Sequence, residues 1–199
     1  PNMDNYMATS LIKRCDLLGS LVIDQNTAED VGNIAQLLVN IRTHKIEQVK
    51  CTSGFLGCTA RYFEWNNIRP ISKDVILVDG LGKATAEQPE ATGSMVGLEV
   101  WSESGAKIGM IGDYYLNLAT GMVTDYILVL NNFKGIAGGA HRLPPTAVIN
   151  TGHQRMIIMD EVLQSAERFS EGLEDRLTQA FAFITEDYTQ TVTTMAAVV

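Results

Sequence analysis

Up to about residue 159, the apolar positions of this chain fall in short runs bounded by turn residues, which is how strands read. The runs come in two similar sets. In the first, Leu18-Gly19-Ser20-Leu21-Val22-Ile23-Asp24 leads through a polar turn to Val31-Gly32-Asn33-Ile34. In the second, Val96-Gly97-Leu98-Glu99-Val100-Trp101 leads through Ser102-Glu103-Ser104-Gly105 to Ile108-Gly109-Met110-Ile111, with the turn one residue shorter. From the second glycine onward the registers agree without a gap. Gly32 to Ile46 and Gly109 to Val123 are both 14 steps, and Val39 meets Leu116, Ile41 meets Leu118 and Thr43 meets Thr120. Such self-similarity means that one supersecondary unit is used twice.

Arg42-Thr43-His44 and Thr120-Gly121 stand where a hairpin turn would reverse the chain, the latter with the glycine that a positive φ favours. Further strands are predicted at 46–51, 60–65 and 75–78, and in the second copy at 123–130, 147–150 and 156–159. Five or six short strands per copy, with no helix between them, predict a small closed β-barrel, a form that leaves no sheet edge exposed. The fold class is therefore mainly β. The chain divides into an N-terminal segment at 1–14, a first barrel at 15–80, a Gly/Pro/Ala-rich linker at 81–95 and a second barrel at 96–159.

Beyond residue 159 the spacing changes. Val162, Ala166, Phe169, Leu173, Leu177, Phe181 and Ile184 recur at steps of three or four, which predicts an amphipathic helix over 160–184 with Asp160 as its N-cap. Gly172 in its middle costs about 1 kcal/mol relative to Ala, so the helix needs packing contacts from the barrels or from a partner. Residues 185–199 read as a tail.

Charge is divided in the same way. Of the net −8, the segment 160–199 carries most, with eight acidic residues against Arg168 and Arg176, while the body is nearly neutral. A nucleic-acid binder normally shows a basic stripe, and none is visible. Three cysteines, Cys15, Cys51 and Cys58, are too few for a disulfide framework and favour reduced thiols in a cytosol-like compartment. No run of 18 apolar residues predicts a transmembrane helix, and residues 1–10 lack the layout of a signal peptide. The expectation is a cytoplasmic chain.

The pattern Gly-x-x-Val, a polar turn, Ile-Gly-x-Ile, a strand, Thr-Gly and an apolar strand resembles the PRC-barrel, a fold shared by the cytoplasmic part of the photosynthetic reaction-centre H subunit and a bacterial ribosome maturation factor. The second copy carries the likeness from Gly97 to Val129, then in Leu143-Pro144-Pro145-Thr146-Ala147-Val148 and Arg155-Met156-Ile157-Ile158. The first carries it from Gly19 to Val49, then in Ile68-Arg69-Pro70-Ile71-Ser72 and Val75-Ile76-Leu77-Val78. The tandem arrangement, Ser53-Gly54-Phe55-Leu56-Gly57 and the trailing helix are similar to two-barrel proteins of cyanobacteria and chloroplasts. The resemblance implies docking or assembly modules with no catalytic residues to carry over. It also implies a photosynthetic or thylakoid-associated protein complex as partner, with peripheral association at the thylakoid membrane.

Candidate chemistry is sparse. Cys51 and Cys58 are too far apart for a zinc knuckle, and His44, His141 and His153 are scattered over predicted loops, so no metal site is expected. No Gly-x-Ser-x-Gly elbow or spaced His–carboxylate pair is present, and Gly80-Leu81-Gly82-Lys83 fails the phosphate-loop pattern. The chain is expected to be no enzyme and to need no cofactor. The candidate partner contacts are Phe55 and Leu56 on one Gly-flanked loop, Phe133 and Ile136 on the corresponding loop of the second copy, and Phe169, Leu173 and Phe181 on the helical stripe. Each set reads either as a lid on its own barrel or as an anchor for a partner. The reading is an adaptor or assembly protein. The alternative, an RNA-associated factor in ribosome maturation, would call for a basic face.

Overall fold

The computed structural model describes residues 11–54, 59–70, 74–80, 92–131 and 139–162. Each copy of the repeat forms one curved sheet. In the first, the strands are β2 (Leu21–Asp24), β3 (Asp30–Asn40), β4 (Lys45–Ser53), β5 (Thr59–Glu64), β6 (Ile68–Pro70) and β7 (Val75–Val78), arranged β5-β4-β3-β2-β7-β6. In the second they are β9 (Glu99–Ser102), β10 (Lys107–Asn117), β11 (Val123–Leu130), β12 (Ala140–Leu143), β13 (Val148–Thr151) and β14 (Arg155–Ile158), arranged β12-β11-β10-β9-β14-β13. The two orders correspond strand for strand, including one parallel pair in each, β2 with β7 and β9 with β14. A single 3-10 turn, Trp65–Asn67 in one copy and Pro145–Ala147 in the other, carries the chain from one end of the sheet order to the other end. Six predicted strands therefore stand close to where alternation and turn residues put them.

Gly32 and Gly109 explain why the two long strands β3 and β10 can bend. A Cβ on Gly32 would overlap the Thr52 carbonyl, and one on Gly109 would overlap the Val129 carbonyl, so a neighbouring strand passes where a side chain would be. Register shifts lie beside both, between Val22 and Ile23 for the first and between Lys107 and Gly109 for the second, as a bulge requires.

The segments ahead of each copy were not legible as structure. Leu11–Lys13, which the sequence places in a leading segment, forms strand β1 and pairs antiparallel with β10 of the second copy through Leu11↔Asn117 and Lys13↔Tyr115. Thr92–Gly93, which it places in a linker, forms strand β8 and pairs with β3 of the first copy through Asn40↔Thr92 and Val39↔Gly93. Asn40 and Asn117 are equivalent positions of the repeat. Each copy thus lends the strand before it to the other copy, which makes two seven-stranded sheets.

The hairpin turns meet in the same reciprocal way. The Ile46 N–H donates to the Gly121 carbonyl (2.8 Å) and the Val123 N–H donates to the His44 carbonyl (2.9 Å), with Lys45 and Met122 bridging between them. His44 and Gly121 both take positive φ, 53° and 71°, so the turn geometry demanded by the sequence is present in both copies. A Cβ on Gly121 would strike the indole of Trp65 in the first copy, which packs directly on this backbone. In consequence the buried side chains form one continuous core spanning both copies, from Leu17 and Val22 through Trp65 and Met95 to Met156 and Ile158.

The predicted helix at 160–184 lies outside the described residues beyond Val162. Asp160 is described: its Oδ1 accepts from the Ser104 hydroxyl (3.2 Å), which ties the chain exit to the β9–β10 turn. Besides β1, β8 and the short strand β6, two further features were unforeseen. One is the single helical turn α1 (Arg14–Leu17), and the other is a strand position for His141, which is buried in β12 and not on a loop. Among the described residues no helix is long and apolar enough to cross a membrane.

Candidate protein-interaction surfaces

The barrels can present fixed faces because the seam between them is locked by polar contacts as well as by the core. Arg14, on α1 ahead of the first barrel, donates from Nε to Asp113 Oδ1 on β10 at 2.9 Å. Asp113 is 4% exposed and Arg14 17% at their side chains, so this pair is largely withdrawn from water. Asp113 Oδ1 also accepts the backbone N–H of Tyr114 (2.9 Å). Beside it, burial and then the hydrogen bond to Asp113 push the Cys15 thiol up to about 12. Across the seam, His44 Nδ1 and the Tyr126 hydroxyl lie 2.7 Å apart in a hydrogen bond. The His44 ring meets Tyr126 edge-on, and Tyr126 meets Tyr114 in the same way. Burial pushes the His44 pKa down and holds both tyrosine hydroxyls protonated.

These groups hold the seam. Burial pushes the Cys51 thiol up to about 12 as well, which disfavours its thiolate. Among the described residues no three or more His, Cys, Asp or Glu side chains come together in a way that could hold a metal ion. A shallow open depression of about 330 Å³ lies at one end of the first barrel, lined by Leu21, Asp30, Asn33, Thr52 and Ser53, with the Asn33 amide already donating to the Gly19 carbonyl.

The outer side of the parallel strand pair is different. On β14, Met156 and Ile158 point into the core, and Arg155 and Ile157 point out. On β9, Val100 and Ser102 are buried, leaving Glu99 and Trp101 on the outside, where they pair with Arg155 and Ile157. On β13, a register shift between Val148 and Asn150 leaves both Ile149 and Asn150 exposed beside Ile157. Ile149 is 48% exposed, Ile157 39% and Met159 41%. Together with the half-buried Trp101, they make an apolar face across β9, β14 and β13 of the kind that marks an interaction site. Its rim is charged. Glu99 binds Lys107, Arg155 and the Trp101 Nε1–H, and these contacts, the Lys107 one foremost, hold its carboxyl down to about 2. The Arg155 guanidinium lies 5.5 Å from the Trp101 ring centre.

The first copy has the matching face. Leu21 and Ile23 on β2 and Val75 and Leu77 on β7 point away from the core and are half-buried. In both copies the signal was present in the sequence. A strand with one wet face alternates, whereas Leu21-Val22-Ile23, Val75-Ile76-Leu77-Val78 and Met156-Ile157-Ile158-Met159 are apolar at every position. The surplus side chains must point outward, and this is what the sequence reading missed.

All seven sequence-derived contact residues, Phe55, Leu56, Phe133, Ile136, Phe169, Leu173 and Phe181, lie outside the described residues. In chain order Phe55 and Leu56 fall between β4 and β5, and Phe133 and Ile136 between β11 and β12, at equivalent points of the repeat. Compared with known proteins, the chain matches the family model of the PRC-barrel domain twice, at residues 10–84 and 91–163. No curated protein matches it.

Proposed function

This chain belongs to the PRC-barrel family, as two copies of the domain in tandem, and we propose that it is a non-catalytic adaptor or assembly protein that binds a protein partner. PRC-barrels are general interaction and assembly domains, which sets the class of function. The observation that carries the reading is the exposed apolar face of the second barrel, where Ile149, Ile157 and Met159 flank Trp101. An anchor set of aromatic and aliphatic side chains inside a charged rim is what a protein interface uses. The reciprocal strands and shared core support it too, because a rigid two-barrel body holds its faces in fixed relation and loses little freedom on docking. The partner class we propose is a photosynthetic or thylakoid-associated complex, on the sequence resemblance to two-barrel proteins of cyanobacteria and chloroplasts alone.

The test is affinity capture from a phototroph lysate with the full chain and with Ile157→Asp. Ile157 is exposed, so the variant should fold normally. A partner retained by the wild type and lost by Ile157→Asp is the expected result. Equal retention by both chains would remove this face from the account.

A further inference from the structure

The outer face of β9, β14 and β13 is also the place where the chain leaves the second barrel. The Met159 N–H donates to the Ala147 carbonyl (3.1 Å), the Asp160 N–H to Glu103 Oε1 (3.3 Å) and the Val162 N–H to the Met159 carbonyl (3.4 Å). Val162 is packed against the core. The exit is therefore pinned at the end of the strand that carries Ile157, with Met159 exposed beside it. Past this exit the sequence continues with apolar residues at helical spacing, Ala166, Phe169, Leu173, Leu177, Phe181 and Ile184, which water cannot satisfy.

We propose that this C-terminal stripe, led by Ala166, Phe169 and Leu173, lies on the β9–β14–β13 face of its own chain when no partner is bound. The inference deepens the adaptor reading and rests on it for its consequence, which is that a partner must displace the segment. Three strands span about 10 Å across the sheet, since neighbours lie ~4.8 Å apart. A helix over 163–184 would be about 33 Å long at ~1.5 Å per residue, so its first turns suffice to cover the face. Charge agrees. Lys107 and Arg155, 42% and 64% exposed, share the one carboxylate of Glu99 on this rim, while the segment offers Glu167, Glu171, Glu174 and Asp175 against Arg168 and Arg176. Gly172 would weaken a helix formed there, which suits a segment that holds the face only until something better does.

The chain has two tryptophans, and only Trp101 is on this face, Trp65 being buried under Gly121. Acrylamide quenching of the isolated full-length protein therefore reads whether the face is covered. Phe169→Asp/Leu173→Asp should raise the quenching constant of the accessible tryptophan several-fold, shift its emission to the red and lower the melting temperature modestly, as loss of a packed contact requires. Glu167→Gln/Glu174→Gln should change quenching and emission far less, because exposed charges add little to an apolar contact. Unchanged quenching in the Phe169→Asp/Leu173→Asp variant would overturn the proposal. So would exposure of Trp101 by the glutamine pair, which would make the contact one of charge alone. Protection that disappears on dilution of the wild type would assign the face to a second copy of the chain instead. Since no partner is present, these outcomes are independent of whether the capture experiment succeeds.

Discussion

Replacing Arg14 by Met removes the partner of a carboxylate that belongs to the other barrel. Asp113 is 4% exposed and would keep no charged partner among the contacts described, only the Tyr114 N–H and the Cys15 thiol as hydrogen-bond donors. Stranding one member of a buried pair costs about 3–5 kcal/mol, and the 17% exposure of Arg14 argues for the lower end of that range. For a chain of this size each kcal/mol moves the melting temperature by about 2–4 °C, so a fall of about 6–12 °C is expected. Arg14→Met/Asp113→Asn should recover most of the loss, because the amide still accepts from Tyr114 while the unpaired charge is gone. Thermal unfolding monitored by circular dichroism measures both. The reasoning is refuted if Arg14→Met melts within about 2 °C of the wild type, since the residues ahead of the first barrel would then not be anchored on the second. A double variant as unstable as the single one would show that charge is not the reason.

Gly121→Ala should cost more than Gly105→Ala in urea unfolding. Both glycines hold positive φ, worth about 1–2 kcal/mol against a side chain, but only the Gly121 Cβ meets Trp65, and open space surrounds Gly105. The stability held by His44 should depend on pH in a definite direction. Its folded pKa lies below the ordinary 6.5, so the unfolded chain binds the proton more readily; this stability is complete above about 6.5 and is lost as pH falls from there through the folded value. His44→Asn should flatten the dependence of melting temperature between pH 7.5 and 5.5. RNA and DNA should bind no better than micromolar at physiological salt, because the body is nearly neutral and the C-terminal stretch acidic; tighter retention on a filter would contradict this.

The β character, the repeat and most strand positions could be read from the sequence because each depends on local pattern. Gly32 and Gly109 mark bends, His44 and Gly121 mark equivalent turns, and apolar runs mark strands. The strand exchange could not be read in this way. Leu11-Ile12-Lys13 is too short to signal a strand, and nothing local to it says that its partner is Asn117 to Tyr115. The ion pair of Arg14 with Asp113 joins residues 99 apart in the chain for the same reason. The exposed apolar face was legible and overlooked: aromatic loop residues such as Phe55 and Phe133 stand out in a sequence, while the broken alternation at Ile157 and Met159 signals outward apolar side chains less visibly. Once β14 is known to have Met156 and Ile158 inside, those two have nowhere to point but outward.

The claim that matters most is that the partner sits on the β9–β14–β13 face, and a photo-cross-linking side chain placed at Ile157 tests it most directly. A second protein carries the same group at Glu64, exposed on β5 of the first barrel. Irradiated with the captured complex, the chain modified at Ile157 should form a covalent adduct with the partner, and the chain modified at Glu64 should not. An adduct from Glu64 with none from Ile157 would contradict the account and move the interface to β5 of the first barrel.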